Sequence, residues 1–259
     1  MNKLRPLLNF LIVFSVLFYS CKDPGCTDPN ALNYNEKADK DDGSCIYNSD
    51  LTVQFEFLFN NSPLSQYDTI HFNGGSFRIE TAKCYLTNFS LIGQQNNTLL
   101  KDVHLLDISN KNSMQLNIKT VEGDYNSISM GIGLTPEQNN TSPANYSVDH
   151  PLGINNNTYW DMVPASYIFV MIEGKMDTTQ SSNFYPLSYH LAHNDLYQVL
   201  SFEKSLSITS ANSANLYFKI ELSNLFENVD LSQELPHQSV NTPLAQQLMN
   251  NFTNAFYVE

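Results

Sequence analysis

The side chains best suited to chemistry in this chain are six histidines, His71, His104, His150, His190, His193 and His237, a single tryptophan, Trp160, and seven methionines. Neutral imidazole is available near neutral pH and is the commonest ligand for borderline transition metals, so metal binding is the chemistry these residues suggest. One close pair stands out, Tyr189-His190-Leu191-Ala192-His193. At a turn or in a helical curl an i, i+3 pair converges on one ion, whereas in a strand the two rings face opposite sides. Taken alone the pair therefore reads either as two ligands or as two structural or solvated side chains. His104, between Val103 and Leu105, reads as a satisfied strand histidine, and His237, after Pro236, as loop surface. Met162, Met171 and Met176 share a stretch with Trp160 and offer thioether donors, although methionine is more usually a core gap-filler and Met171 sits in an apolar run. Glu173, in Ile172-Glu173-Gly174, could orient a histidine or simply end a strand. No nucleophile elbow, phosphate-cradling glycine loop or zinc-protease helix is present, so no enzymatic activity is expected.

The elements that must position these groups read as strands. Leu51, Val53, Phe55, Phe57 and Phe59 alternate with Thr52, Gln54 and Glu56, the period-two pattern of a half-buried strand. Further strands are predicted over 77–91 with a break near Asn88, then over 103–107, 125–134, 167–172, 199–208 and 216–222. Asn73-Gly74-Gly75 and Glu122-Gly123-Asp124 supply turn chemistry between them. Many short strands with no intervening helical period predict an all-β, antiparallel β-sandwich of the Ig-like or Greek-key type. Leu244, Leu248 and Phe252, following Pro243, are at helical spacing and predict a short C-terminal helix.

The amino terminus reads as a targeting segment. Lys3 and Arg5 precede a mostly apolar run from Leu7 to Tyr19, too short for the roughly 20 residues that span a bilayer. Residues 1–20 are thus predicted to be a signal peptide. Phe18-Tyr19-Ser20-Cys21 resembles a bacterial lipobox, which implies cleavage before Cys21, its lipidation and an outer-membrane lipoprotein facing the periplasm or the surface. Cys26 and Cys45 then bracket an Asp-rich segment, and an oxidising envelope favours their pairing as a disulfide. Cys84 is left over and reads as a buried free thiol. The segment, Gly25-Cys26-Thr27-Asp28-Pro29 through Asp41-Asp42-Gly43-Ser44-Cys45, resembles short modules similar to thrombospondin type 3 calcium repeats. On that resemblance Asp28, Asp39, Asp41 and Asp42 would supply calcium with oxygen ligands; otherwise they form Asx-turns in a tether over residues 21–50. With 13 Lys and Arg against 26 Asp and Glu the net charge is −13, which argues against nucleic acid and against a basic patch on anionic lipid.

The order of blocks along residues 51–259 carries a second resemblance. Phe77 to Leu91, Val103-His104-Leu105-Leu106-Asp107, Gly123 to Gly133 and Asp149-His150-Pro151-Leu152 are followed by Tyr159-Trp160, Tyr167 to Gly174 and Tyr189-His190-Leu191. Together they resemble the MbnP-like copper-binding domain family of bacterial envelope proteins. The resemblance implies a secreted β-sandwich that binds copper for acquisition or delivery. It implies a site drawn from His150, Trp160 and His190, to which the close pair adds His193 and the thioether chemistry adds Met162, and as partner a di-haem peroxidase that oxidises a tryptophan to a kynurenine, or a metal-transport protein. Met162 stands where a second tryptophan commonly follows, and the stretch from Trp160 to Tyr167 is one residue longer than in the family. Imidazole suits Cu(II), while thioether and imidazole together accommodate Cu(I). The alternative is a cell-surface sandwich that binds a glycan or a partner protein and no metal.

Overall fold

The computed structural model describes residues 23–72, 75–94, 96–177, 183–229, 237–238 and 243–259. The signal segment, Cys21, and Asn73-Gly74 of the predicted turn lie outside the described residues. The described residues form two compact units, divided between Ile46 and Tyr47. In the first, Pro24–Gly25 pairs in parallel with Lys40–Asp41, and a disulfide joins Cys26 to Cys45. The carboxylates there serve turns: Asp28 accepts from the Asn30 N–H, Asp41 from Gly43 and Asp42 from Ser44. Among the described residues no helix is long and apolar enough to cross a membrane.

The second unit is a β-sandwich. Its principal strands are β1 (Asn48–Phe59), β2 (Gly75–Gly93), β3 (Asn97–Asp107), β4 (Gln115–Val121), β5 (Gly123–Ile132), β6 (Ser166–Asp177), β7 (Tyr185–Ala192), β8 (Gln198–Ile208), β9 (Ala214–Glu221) and β10 (Phe256–Val258). The helix α1 (Pro243–Thr253) buries Ala245, Leu248, Met249 and Phe252, the spacing of one helical face. The smaller sheet runs β10-β9-β1-β4; the larger is built around β2, flanked by β3, β5 and β6, with β8 beyond β5 and β7 beyond β6. Phe55 and Phe218, register partners on β1 and β9, stack at 5.4 Å and meet Phe89 of β2 and Phe202 of β8 edge-on across the core.

Three differences from the sequence reading have physical reasons. β2 is continuous rather than broken, because Asn88 takes a positive φ of 48° and the β3 pairing shifts at Phe89/Ser90. β1 and β9 pair in parallel within an otherwise largely antiparallel fold. β4, β7 and β10 were not predicted; β4 exposes alternate residues and buries little, which weakens its signal.

One topological detail shapes the site. Cys84 pairs with Leu106 of β3 on one side and Val170 of β6 on the other, while Leu86 pairs with His104 of β3 and Ile132 of β5. β5 and β6 therefore share one edge of β2 and part at Tyr85, whose carbonyl is capped by the Gly133 N–H at 2.9 Å. Gly133 has φ of 95°, and a side chain there would strike the Phe169 ring. From this fork the chain makes a long excursion, residues 133–165, over the face of the larger sheet turned away from the smaller one. Tyr85 and Tyr167 point into it and hold it: the Tyr85 hydroxyl donates to the Pro151 carbonyl, and Tyr167 to that of Leu152.

Candidate metal centre

The excursion ends in a two-residue strand, Tyr159–Trp160, that pairs with the start of β6, Trp160 opposite Ser166. Thr158, buried just before it, donates its hydroxyl to Tyr85 at 2.7 Å and its carbonyl accepts the Ile168 N–H. Trp160 is thereby laid over the end of β7. Its ring centroid is 5.4 Å from that of His190 and 6.4 Å from that of His193.

The two histidines reach the indole by different means. His190 lies within β7, on the outer face, opposite Met171 of β6. A continuing strand would send His193 to the other face, but β7 stops at Ala192 and His193 adopts φ 78°, ψ 151°. That backbone is nearly exclusive to glycine and costs on the order of 1–3 kcal/mol for another residue. A polar lattice holds it. The His193 N–H donates to Ser166 Oγ at 3.0 Å, and Asn139 accepts from Ser166 Oγ and from the Tyr167 N–H while donating to Asn194. Asn139 in turn closes the short helix Pro136–Asn139, fixed by a capping box of Thr135 and Gln138. The sequence left open whether this pair sits in a strand or a turn; the structure has one histidine in each.

Glu173, two residues beyond Met171 on β6, supports His190. Its Oε1 lies 2.7 Å from His190 Nε2, which is also 3.0 Å from Ser188 Oγ. The hydrogen bond from His190 is the main cause holding the Glu173 carboxyl below its ordinary pKa, against its partial burial. An ionised carboxylate only accepts, so Nε2 carries the hydrogen and, in the neutral ring, Nδ1 carries the lone pair. Farther along the same face Lys83 of β2 pairs with Asp107 at 3.1 Å and donates to the Asn156 carbonyl, tying the excursion to the sheet.

The other predicted residues have other surroundings. His150 stacks on Tyr146 with centroids 4.4 Å apart, and its Nδ1 accepts the Leu152 N–H, so the ring shapes its own loop. Burial, reinforced by the Lys101 charge and opposed by Asp102, lowers its pKa. Met162 is in the exposed loop after Trp160. His104 is buried and donates to the Ser113 carbonyl at 2.6 Å, a satisfied strand histidine. His71 bonds Ser76 near the surface. His237 is not in a loop: its backbone pairs in parallel with Ser188. Cys84 is a buried free thiol whose pKa burial raises. Among the described residues no three His, Cys, Asp or Glu side chains gather into a metal-binding group, in the Asp-rich unit or here. Ser188, Lys83 and Asn139 had no part in the sequence reading of the site, and Met171, noted as a thioether donor, was read as core. For Met171 the available signal was its two-residue offset from Glu173.

The fold and the cluster together define the class: a β-sandwich whose larger sheet carries an imidazole–indole centre beneath an excursion on its outer face. The sequence profile of the MbnP family matches residues 48–243, and the chain belongs to that family. Among solved structures, MbnP from Methylosinus trichosporium shares the fold with a TM-score of 0.58 at 12% sequence identity, covering 82% of this chain and 98% of that one. No curated protein sequence matches the chain. Family membership supports a metal-related role.

Proposed function

We propose that this protein is a lipid-anchored envelope protein that binds copper at Trp160, His190 and His193 for acquisition or delivery, without turnover. The observation that carries this reading is His193, a histidine held against the indole in a backbone conformation suited to glycine. Strain of this kind accumulates where a side chain must be delivered to a particular place. The donor chemistry fits: two imidazoles face one aromatic ring, and a carboxylate fixes the tautomer of one of them. Copper, as cargo, would take imidazole nitrogen in either oxidation state. Glu173 keeps His190 oriented with Nε2 carrying the hydrogen, the excursion lays Trp160 beside the two imidazoles, and His150 belongs to the frame of that excursion. The lipobox-like Phe18-Tyr19-Ser20-Cys21 supports anchoring in the outer membrane, and a metal-transport protein or a di-haem peroxidase is the fitting partner class.

The test is copper analysis of purified mature protein after micromolar loading, alongside His190→Ala and His193→Ala. Near-stoichiometric copper in the wild type and its loss in both variants is expected. Wild-type protein that retains only background copper would sink the proposal.

A further inference from the structure

The outer face of the larger sheet holds a buried sulfur in a run that the sequence favours as core. Met171 is 5% exposed, yet it does not pack in the contiguous apolar core, to which its strand neighbours Val170 and Ile172 both belong. Alternation along β6 explains this: Val170 and Ile172 point into the sandwich, and Met171 points outward with Glu173. Its register partners are His190 on β7 and Lys83 on β2. Directly opposed residues of an antiparallel pair have Cβ atoms about 4.5–5.5 Å apart, within reach of a flexible thioether. The Lys83 charge is met by Asp107 at 3.1 Å and so is already balanced.

We infer that Met171 is a sulfur ligand of the His190–His193 centre and makes it selective for Cu(I). The inference rests on the copper reading above. Two observations carry it. Among the described residues no three His, Cys, Asp or Glu side chains form a metal-binding group here, and the neighbouring carboxylate, Glu173, is engaged by His190 Nε2. The buried thioether opposite His190 is a donor of another type, and thioether sulfur favours Cu(I) over harder ions. Met162, the methionine nearest Trp160 in sequence, is 61% exposed and presents its thioether to water.

The experiment uses the mature protein and Met171→Leu, a volume-conserving exchange that packed sites tolerate. Cu(I) affinity is measured by competition with a colorimetric Cu(I) chelator and Cu(II) affinity by quenching of Trp160 emission. Met171→Leu should weaken Cu(I) binding about tenfold or more, the scale on which loss of one supporting group lowers metal affinity, and leave Cu(II) binding nearly unchanged. X-ray absorption of the Cu(I)-loaded wild type requires no substitution and should show a sulfur neighbour. Wild-type protein that holds copper through nitrogen and oxygen alone, or Met171→Leu that binds Cu(I) as tightly as wild type, overturns the inference and leaves the copper reading standing. Wild type that holds neither ion overturns both.

Discussion

Removing one hydroxyl at the fork of the larger sheet should loosen the candidate centre before it loosens the sandwich. Tyr85 is fully buried; it donates to the Pro151 carbonyl at 2.8 Å and accepts from Thr158 Oγ1 at 2.7 Å. In Tyr85→Phe the two partners fare differently. Pro151 keeps a donor, because Asn156 Nδ2 also reaches its carbonyl at 2.8 Å. Thr158, 1% exposed, loses the acceptor for its hydroxyl. One buried polar group left unsatisfied costs about 1–3 kcal/mol, so a loss of about 2 kcal/mol is expected, at the upper end if the Pro151 bond also contributes. For a domain of this size that lowers the melting temperature by about 4–8 °C. The assay compares two probes in urea: circular dichroism for the sheets, and emission from Trp160, the only tryptophan, two residues beyond Thr158. The Trp160 transition should move to lower urea than the dichroism transition. In a double-mutant cycle, Thr158→Val combined with Tyr85→Phe should cost less than the two changes summed, by about 0.5 kcal/mol or more. Additive single changes, or a Tyr85→Phe cost under about 0.5 kcal/mol with coincident transitions, would refute the clamp.

Two further outcomes follow from the strained and charged ends of strands. His193→Gly should abolish copper binding yet raise unfolding stability by about 1 kcal/mol relative to His193→Ala, since glycine alone relieves the backbone at φ 78°; equal stabilities in denaturant would contradict the strain. Glu221 accepts from the Asn60 and Asn61 N–H groups at 2.8 and 2.7 Å and from Ser223. Burial raises its pKa, but these bonds together outweigh burial and hold the carboxyl below 4.5. With the folded pKa depressed, its stabilisation is present above 4.5 and is lost as pH falls through the folded value. Glu221→Gln should therefore be less stable at neutral pH by about 1–3 kcal/mol, with the gap closing on acidification; a gap independent of pH in urea titrations would count against it.

The sandwich was legible because the central strands of its smaller sheet alternate: β1 and β9 write one buried and one solvated face directly into residues 51–59 and 216–221. The C-terminal helix was legible for the same reason at a different period. The centre was legible only as a set of residue types in order. β6 is covered on both faces, by the core and by the excursion, so Tyr167 to Ile172 reads as an unbroken apolar run and conceals which side Met171 and Glu173 take. The parallel pairing of β1 with β9 joins residues far apart in the chain, which no local period encodes. His193 was beyond pattern reading because its direction depends on a single backbone angle, and that angle is set by Ser166 and Asn139 from elsewhere in the fold.

Trp160, Met171, Glu173, Ser188, His190 and His193 all belong to one meander: the short strand Tyr159–Trp160, then β6, then β7. Their mutual contacts close short loops, for which the entropic cost of organisation is small. None of these contacts crosses the sandwich. The affinity of the centre and the cohesion of the core are thus separate quantities. A substitution in the Phe55–Phe89–Phe218 cluster would shift how much protein is folded and leave the ligand affinity of each folded molecule where it was, whereas Tyr85, Lys83 and Asn139 are the few points at which the two could exchange influence.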